Sequence, residues 1–105
     1  MKPTFIHLAC VWAALAATAA GPARAQAPDA VARSYAATCA NCHGTNGIAK
    51  APMVSLAGLP KEHIVTQMKA FKGGTRPATI MGQIAKGYTD EQIDSIAGFF
   101  AAQKR

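Results

Sequence analysis

Apolar residues recur at intervals of three and four along three stretches of the chain, which is the spacing of an amphipathic helix. The first stretch follows Asp29, a plausible N-cap, and runs to about Cys39. Its predicted inner face carries Val31, Tyr35 and Thr38. We expect this helix to end where the segment TCANCHG begins. No stretch has the convincing two-residue alternation of a strand.

The second stretch has a clear beginning and a clear end. Pro60 is predicted to open the helix as a first-turn proline, and the pair Gly73 and Gly74 to end it. Its apolar face consists of Ile64, Val65, Met68 and Phe71. A short turn or helix is expected further on, from Met81 to Lys86, with Gly87 closing it.

The last helix has the strongest signals. Thr89 as the N-cap with Gln92 three residues later forms a capping box. Acidic residues stand at the positive end of the helix dipole and basic residues at the negative end: Asp90, Glu91, Lys104 and Arg105. The predicted buried stripe is Ile93, Ile96, Ala97 and Phe100.

Two long loops separate these helices, from Gly44 to Gly58 and from Gly74 to about Ile80, both rich in turn-forming residues. The pattern predicts an all-α domain of three or four short helices. Such extensive loops are unusual in a small domain, so they need something to pack on. A large apolar cofactor would serve.

The first 25 residues have the pattern of a secretory signal peptide. A positive start at Lys2 is followed by an apolar run and by a small-residue cleavage site at Ala23 to Ala25. Cleavage leaves residues 26–105 as one domain, 80 of the 105 residues, with no membrane span. Cys10 would leave with the signal, and the protein would be periplasmic.

The charge is basic but dispersed. Residues 26–105 carry 9 Lys and Arg against 5 Asp and Glu, a formal charge of 9 − 5 = +4. No basic run or aromatic-interleaved patch is present, so nucleic acid is not an expected partner. We hypothesise instead that an acidic partner docks against a group of cations formed by Lys50, Lys69, Lys72, Arg76 and Lys86.

The segment TCANCHG contains Cys-x-x-Cys-His, the attachment signature of c-type haem. Cys39 and Cys42 lie three residues apart, so that each can form a thioether with one haem vinyl group. His43 is then held beneath the iron as an axial ligand. The sequence has one such motif and therefore predicts one covalent haem c.

Two other uses of this motif are less compatible with the chain. A redox dithiol of the thioredoxin type is expected at the start of a helix in a βαβ unit, and no strands are predicted here. A structural zinc site needs four ligands, and beyond Cys39, Cys42 and His43 only His63 offers a further nitrogen.

A sixth iron ligand, if there is one, must come from elsewhere in the chain. Met68 falls on a helix stripe and is expected in the core, Met53 follows the motif too closely, and His63 lies on a polar face. Met81 lies far enough downstream to reach the other side of a haem. We predict His43 and Met81 as axial ligands, with an open or differently ligated iron position as the alternative.

The imidazole of His43 also needs an acceptor for its second nitrogen, commonly a backbone carbonyl. Pro52, in the loop after the motif, is the predicted source of that carbonyl. The alternative is a proline that only stiffens the loop.

These features together resemble the class I cytochromes c, across nearly all of residues 29–103. The segment TIMGQIAKGY, residues 79–88, is more specifically similar to the haem subunit of flavocytochrome c sulfide dehydrogenase. The resemblance implies the class I cytochrome c fold around one haem bound by Cys39, Cys42, His43 and Met81, with Pro52 supporting His43. It further implies an FAD-containing partner that oxidises sulfide and passes electrons to this haem.

We therefore expect an electron-transfer protein that is not itself an enzyme. A free-standing periplasmic carrier for other redox proteins is the first alternative. A ligand-binding or catalytic haem protein with an open iron site is an alternative of a different class.

Overall fold

The structure is a computed structural model that describes residues 28–105. The predicted signal peptide, residues 1–25, and Cys10 within it lie outside the described residues. The described part contains five helices and two short 3₁₀ turns, and no strand. The helices are α1 (Pro28–Ala36), α2 (Ala40–His43), α3 (Lys61–Gly73), α4 (Met81–Lys86) and α5 (Asp90–Ala101), and the 3₁₀ turns are Ala37–Cys39 and Thr45–Gly47.

The first helix differs from its prediction at both ends. Asp29 lies inside the first turn of α1, where its charge complements the helix dipole, so its prediction as the N-cap is wrong. The helical path also does not stop at TCANCHG, because it continues through a 3₁₀ turn and α2 as far as His43. Ala36 is the buried residue of α1, whereas the predicted inner residue Thr38 is exposed.

Helix α3 confirms its predicted limits to within a residue. Pro60 precedes the helix as its N-cap, and Gly74 ends it in a left-handed conformation that a residue with a Cβ adopts less readily. Ile64 and Met68 are buried. Val65 and Phe71 are half-buried and pack against the same core.

Helix α5 confirms the capping box and the whole predicted stripe. The Thr89 hydroxyl accepts from the Gln92 amide at 3.2 Å, and the Gln92 side chain accepts from the Thr89 amide at 2.9 Å. All four stripe residues are buried: Ile93, Ile96, Ala97 and Phe100. Lys104 and Arg105 lie beyond the end of the helix at Ala101 rather than in its last turn.

The core lies where α1 and α3 pack against α5, and α4 packs on α3. Its buried members are Ala36, Ile64, Met68, Ala85, Ile93, Ile96, Ala97 and Phe100. Burial of a side chain such as Ile93 or Phe100 contributes about 1.5–3 kcal/mol, so α5 supplies much of the stabilisation. None of the helices in residues 28–105 is both long and apolar enough to cross a membrane.

Ion pairs add a second connection between α3 and α5. Lys69 and Lys72 both contact the Asp90 carboxylate, at 3.3 and 3.0 Å, and Lys61 contacts Asp94 at 2.7 Å. The hydrogen bonds from Lys72 and Lys69 hold the pKa of Asp90 below its ordinary value. All of these groups are accessible to water, which limits what each pair contributes to stability.

Replacing the cap of α5 should destabilise the folded protein measurably. Thr89→Ala removes the acceptor of the Gln92 amide, and we expect the free energy of unfolding to fall by about 1 kcal/mol in guanidinium titrations of the haem-loaded protein. Thr66→Ala, at an exposed position of α3, is the matched control and should change it by less than about 0.5 kcal/mol. Equal effects of the two substitutions would contradict the cap's role.

The Asp90 ion pairs predict a pH-dependent contribution. A carboxylate whose pKa is lowered by folding stabilises the native state above its unfolded pKa of about 3.9, and that contribution is lost as the pH falls through the folded pKa. Asp90→Asn should therefore be less stable than the wild type at pH 7, and the difference should shrink as the pH falls below about 3.9. Glu91→Gln is the control, because it shares the helix end while both lysines contact Asp90. A difference that does not shrink with falling pH would contradict this origin.

Candidate functional site

The two cysteines and the histidine of the motif lie on one continuous helical path. Cys39 ends the 3₁₀ turn, and Cys42 and His43 follow on α2. Cys39 is half-buried and packs against the core, whereas Cys42 is exposed, and both are free thiols. A spacing of three residues brings both side chains to the same side of the helix. The two thiols can therefore bond to one planar group.

The environment of Cys39 does not suit a redox dithiol. Burial raises the pKa of the Cys39 thiol, and this effect outweighs the neighbouring Thr38 hydroxyl, which lowers it. A nucleophilic cysteine needs a lowered pKa, because the thiolate is the reactive form. The C-x-x-C pair also lies within a helical path rather than at a strand-to-helix junction.

A structural zinc site finds no support either. No group of three or more His, Cys, Asp and Glu side chains within residues 28–105 is arranged to hold a metal ion. His63, the remaining candidate for a nitrogen ligand, is an exposed residue of α3. It therefore does not complete a ligand set with the motif.

The His43 ring is oriented by one short hydrogen bond. Its Nδ1 lies 2.7 Å from the carbonyl oxygen of Val54. Because a carbonyl can only accept, Nδ1 carries the proton and donates, which leaves the lone pair on Nε2 free to bind a metal. This is the tautomer that an axial iron ligand needs.

The carbonyl was expected from Pro52, and that prediction is wrong. A turn closed by the Met53 amide and the Lys50 carbonyl, at 3.0 Å, carries Pro52 at its exposed tip. The chain returns to the His43 ring only after this turn, so Val54 offers its carbonyl instead. Every residue has a carbonyl, and no side-chain signal distinguishes the one at position 54.

Gly44 and Gly47 make this return possible. Gly44 has φ 79° and ψ 163°, and a Cβ at this position would lie 1.9 Å from the Ile48 carbonyl oxygen. The carbonyl of Gly47 accepts from the amides of Leu56 and Ala57, at 2.7 and 3.1 Å. These two bonds close the base of the loop between Gly47 and Leu56 and so fix the position of Val54.

Met81 lies on a different element that packs on the same core as the motif. It is the first residue of α4, is half-buried, and contacts the core cluster against which Cys39 also packs. Among the other methionines, Met68 is buried in α3, as predicted. Met53 is exposed and immediately precedes Val54, whose carbonyl oxygen binds the His43 Nδ1.

Large apolar side chains are exposed in the two loops next to the motif and Met81. Ile48, Met53 and Val54 belong to the loop that carries the His43 acceptor, and Ile80 immediately precedes Met81. Their exposed fractions are between 43% and 63%. Side chains of this kind are ordinarily covered when several occur together. Together with the two thiols and the free His43 Nε2, they fit a large, flat, apolar group such as haem.

The predicted cationic group is only partly available to a partner. Lys69 and Lys72 bind Asp90, as described above. The Arg76 guanidinium lies 4.5 Å from the centre of the Phe71 ring and hydrogen-bonds Gln67. Lys50 and Lys86 are exposed. The fold thus pairs three of the five cations with its own residues, although Lys69 and Arg76 remain exposed, and the docking surface made of all five stays a prediction.

One contact that the sequence did not indicate joins the motif to residues 81–88, which comprise α4 and the two residues after it. We call these residues the Met81 segment. The Thr38 and Tyr88 hydroxyls lie 2.9 Å apart, across a separation of 50 residues. Thr38 immediately precedes Cys39, and Tyr88 follows α4. Neither Thr38 nor Tyr88 belongs to the Cys-x-x-Cys-His motif, and only the fold brings the two side chains together.

Comparisons with known proteins agree on one family. The family model described as cytochrome c oxidase, cbb3-type, subunit III matches residues 26–100. The cytochrome subunit of sulfide dehydrogenase from Chlorobaculum tepidum is 42% identical over 84 residues, which are 76% of each chain. The thiosulfate dehydrogenase electron acceptor of Thiomonas intermedia is 33% identical over 98 residues, which are 91% of this chain but 40% of that protein.

A solved structure shows the same helical fold. The cytochrome c4 of Acidithiobacillus ferrooxidans superimposes with a TM-score of 0.62 at 32% identity, covering 70% of this chain and 50% of that chain. This chain thus spans about half of the c4 chain, and most of the length of the Chlorobaculum subunit. The comparison confirms the predicted class I cytochrome c fold.

Gly44 provides a test of the loop geometry that orients His43. Gly44→Ala combines a backbone conformation reserved for glycine with a Cβ overlapping the Ile48 carbonyl, so we expect a loss of a few kcal/mol in unfolding titrations. Gly74→Ala is the control, since its φ is 78° but a Cβ there meets nothing within 4 Å. It should lose only about 1–2 kcal/mol. A Gly44→Ala protein as stable as Gly74→Ala would contradict the described turn.

Proposed function

This chain belongs to the cytochrome c family and is an electron-transfer cytochrome rather than an enzyme, and from this premise we propose that it is an exported carrier with one covalent haem c. The thioethers would come from Cys39 and Cys42, and the axial ligands from His43 and Met81. Removal of residues 1–25 would deliver the domain to the periplasm. There the motif could be loaded with haem.

The observation that carries this proposal is the His43–Val54 hydrogen bond. It assigns the proton to Nδ1 and frees Nε2, on the helical path that presents both thiols. A bound haem supplies a metal that gains and loses one electron. The chain's own residues then have three tasks: to anchor the group, to keep the imidazole ring in one tautomer and orientation, and to cover the apolar faces.

Met81 is supported as the second axial ligand by its place in the fold. Met68 is buried in the core, and Met53 immediately precedes the residue whose carbonyl binds the His43 Nδ1, so Met81 is the favoured ligand among the three methionines of the described residues. A thioether is a soft ligand that favours the reduced iron, and so it raises the reduction potential relative to a second histidine. A raised reduction potential suits a protein that accepts the electrons released when a substrate is oxidised.

We further propose that the electron donor is a flavoprotein that oxidises sulfide. The support is the similarity to the cytochrome subunit of the Chlorobaculum sulfide dehydrogenase, over 76% of that protein. The flavin-bearing subunit would carry out the bond chemistry, and this chain would accept electrons one at a time. Exposed Lys50 and Lys86 are available to an acidic partner surface.

A free-standing carrier is the second candidate. The similarity to the thiosulfate dehydrogenase electron acceptor of Thiomonas intermedia favours it, because that protein is described as an acceptor rather than as a subunit. The two candidates share the same haem site. They differ in whether the chain remains bound to its donor.

The ligand assignment predicts a spectroscopic change in one variant. Ferric Met81→Ala should lose the weak methionine-sulfur charge-transfer band, and its ferrous form should bind carbon monoxide. Its potential should fall by about 100 mV or more, within the span of about 0.8 V that axial ligands control. Met53→Ala is the control and should behave as the wild type. An unchanged spectrum and potential in Met81→Ala would remove Met81 from this role and favour another ligand.

The partner assignment predicts that the chain copurifies with a flavoprotein. Mild-salt purification from the native host, followed through the haem absorbance, should yield a second polypeptide that contains FAD and reduces this haem when sulfide is added. Raising the ionic strength should weaken the association if Lys50 and Lys86 contribute. Recovery of a haem protein without flavin would favour the free carrier, and a chain without covalent haem after denaturing electrophoresis would contradict both.

A further inference from the structure

We propose that Tyr88 is a positioning residue that holds the Met81 segment against the haem-attachment segment through its hydrogen bond to Thr38. The inference rests on the proposed role of Met81 as an axial ligand. It adds a residue to which neither the motif nor the comparisons assign a role.

The direction of the hydrogen bond follows from the neighbours of Thr38. The Thr38 hydroxyl can donate to the Tyr35 carbonyl oxygen, 3.4 Å away, within its own helical path. The proton between Thr38 and Tyr88 then belongs to Tyr88, which donates to Thr38 Oγ1 over 2.9 Å. Tyr88 is thereby tied to the residue that precedes Cys39, while its half-buried ring packs against the core.

The Met81 segment needs such a tie because α4 is only six residues long. A helix of this length is not stable alone, so it depends on contacts at its ends and along its buried side. Upstream, the Thr75 hydroxyl and the Arg76 amide both bind the Ala70 carbonyl, at 3.3 and 3.1 Å, which fastens the loop to α3. Within α4 itself, the side chain of Ala85 is fully buried.

The hydrogen bonds to the Ala70 carbonyl and the burial of Ala85 attach α4 to the α3 side of the domain. The Thr38–Tyr88 bond is different, because it attaches the downstream end of α4 to the segment that carries Cys39. The other side-chain to side-chain hydrogen bonds described for residues 28–105 join α3 to α5, or α3 to the loop that follows it. Breaking the Thr38–Tyr88 bond should therefore let α4 move away from the motif while the rest of the core stays packed.

The consequence is a larger population of a locally opened state. In that state an external ligand competes with Met81, so its apparent affinity rises in proportion to the opened population. A neutral hydrogen bond at a partly exposed position corresponds to a change of about 2- to 5-fold. The same factor should apply to hydrogen exchange of the amides within α4.

The experiment compares Tyr88→Phe, Thr38→Val and the double variant in the haem-loaded protein. We expect exchange of the Ile84 and Gly87 amides to be about 2- to 5-fold faster, with the α5 amides unchanged, and imidazole to bind the ferric form about 2- to 5-fold more tightly. The double variant should match either single variant, because both remove one bond. Thr38→Ser, which keeps the hydroxyl, should restore wild-type behaviour.

Tyr35→Phe is the matched control, since it removes a hydroxyl from another half-buried tyrosine that packs on the same core. A Tyr88→Phe protein that behaves as Tyr35→Phe would overturn the proposal, as would an equal acceleration of exchange in all helices. Faster exchange in α4 without tighter imidazole binding would support the tie but contradict Met81 as the ligand. The inference and the ligand assignment can thus fail separately.

Discussion

The contact between Phe100 and Gly47 is the constraint on which the arrangement of the site depends. Phe100 is buried in the stripe of α5, and a Cβ on Gly47 would lie 2.7 Å from its ring. The Phe100 carbonyl also accepts a hydrogen bond from the Gly58 amide at 2.9 Å. Gly47 in turn binds the Leu56 and Ala57 amides, and this closure presents the Val54 carbonyl to His43. The orientation of the histidine ring is therefore transmitted from the core through backbone contacts.

The Met81 side of the proposed site is held in place by contacts of a different kind. Met81 begins a helix of one and a half turns, which is held by fastening of the preceding loop, by burial of Ala85 and by the Thr38–Tyr88 bond. None of these contacts resembles the closely packed Gly47 turn. The motif side is thus fixed by sterics, while the Met81 side is held by a few separable contacts. If His43 and Met81 bind an iron as proposed, the first side would hold its ligand more rigidly than the second.

The sequence predicts the parts of the fold that local chemistry determines. The capping box at Thr89, the stripe of α5 and the glycine end of α3 were all recovered, because each depends on residue type and spacing within one element. The predictions that were wrong depended on tertiary context. The carbonyl was expected from Pro52 because side chains mark a loop but do not indicate which of its carbonyls meets the histidine. The ion pairs of Lys69 and Lys72 were not predicted, because their partner, Asp90, lies on another helix.

The distribution of apolar residues supports the proposed haem site. Helices α1, α3 and α5 cover one another with seven buried side chains, and Ala85 of α4 is the eighth buried residue of the core. Ile48, Val54 and Ile80 have no such cover from residues 28–105. These residues flank His43 and Met81, so a haem held by those ligands would cover the side chains that the core leaves exposed. Binding would then stabilise the loops and the fold together, because a ligand that binds only the native state adds its free energy to folding. Under the proposed ligation, the two long loops would form the walls of the haem site.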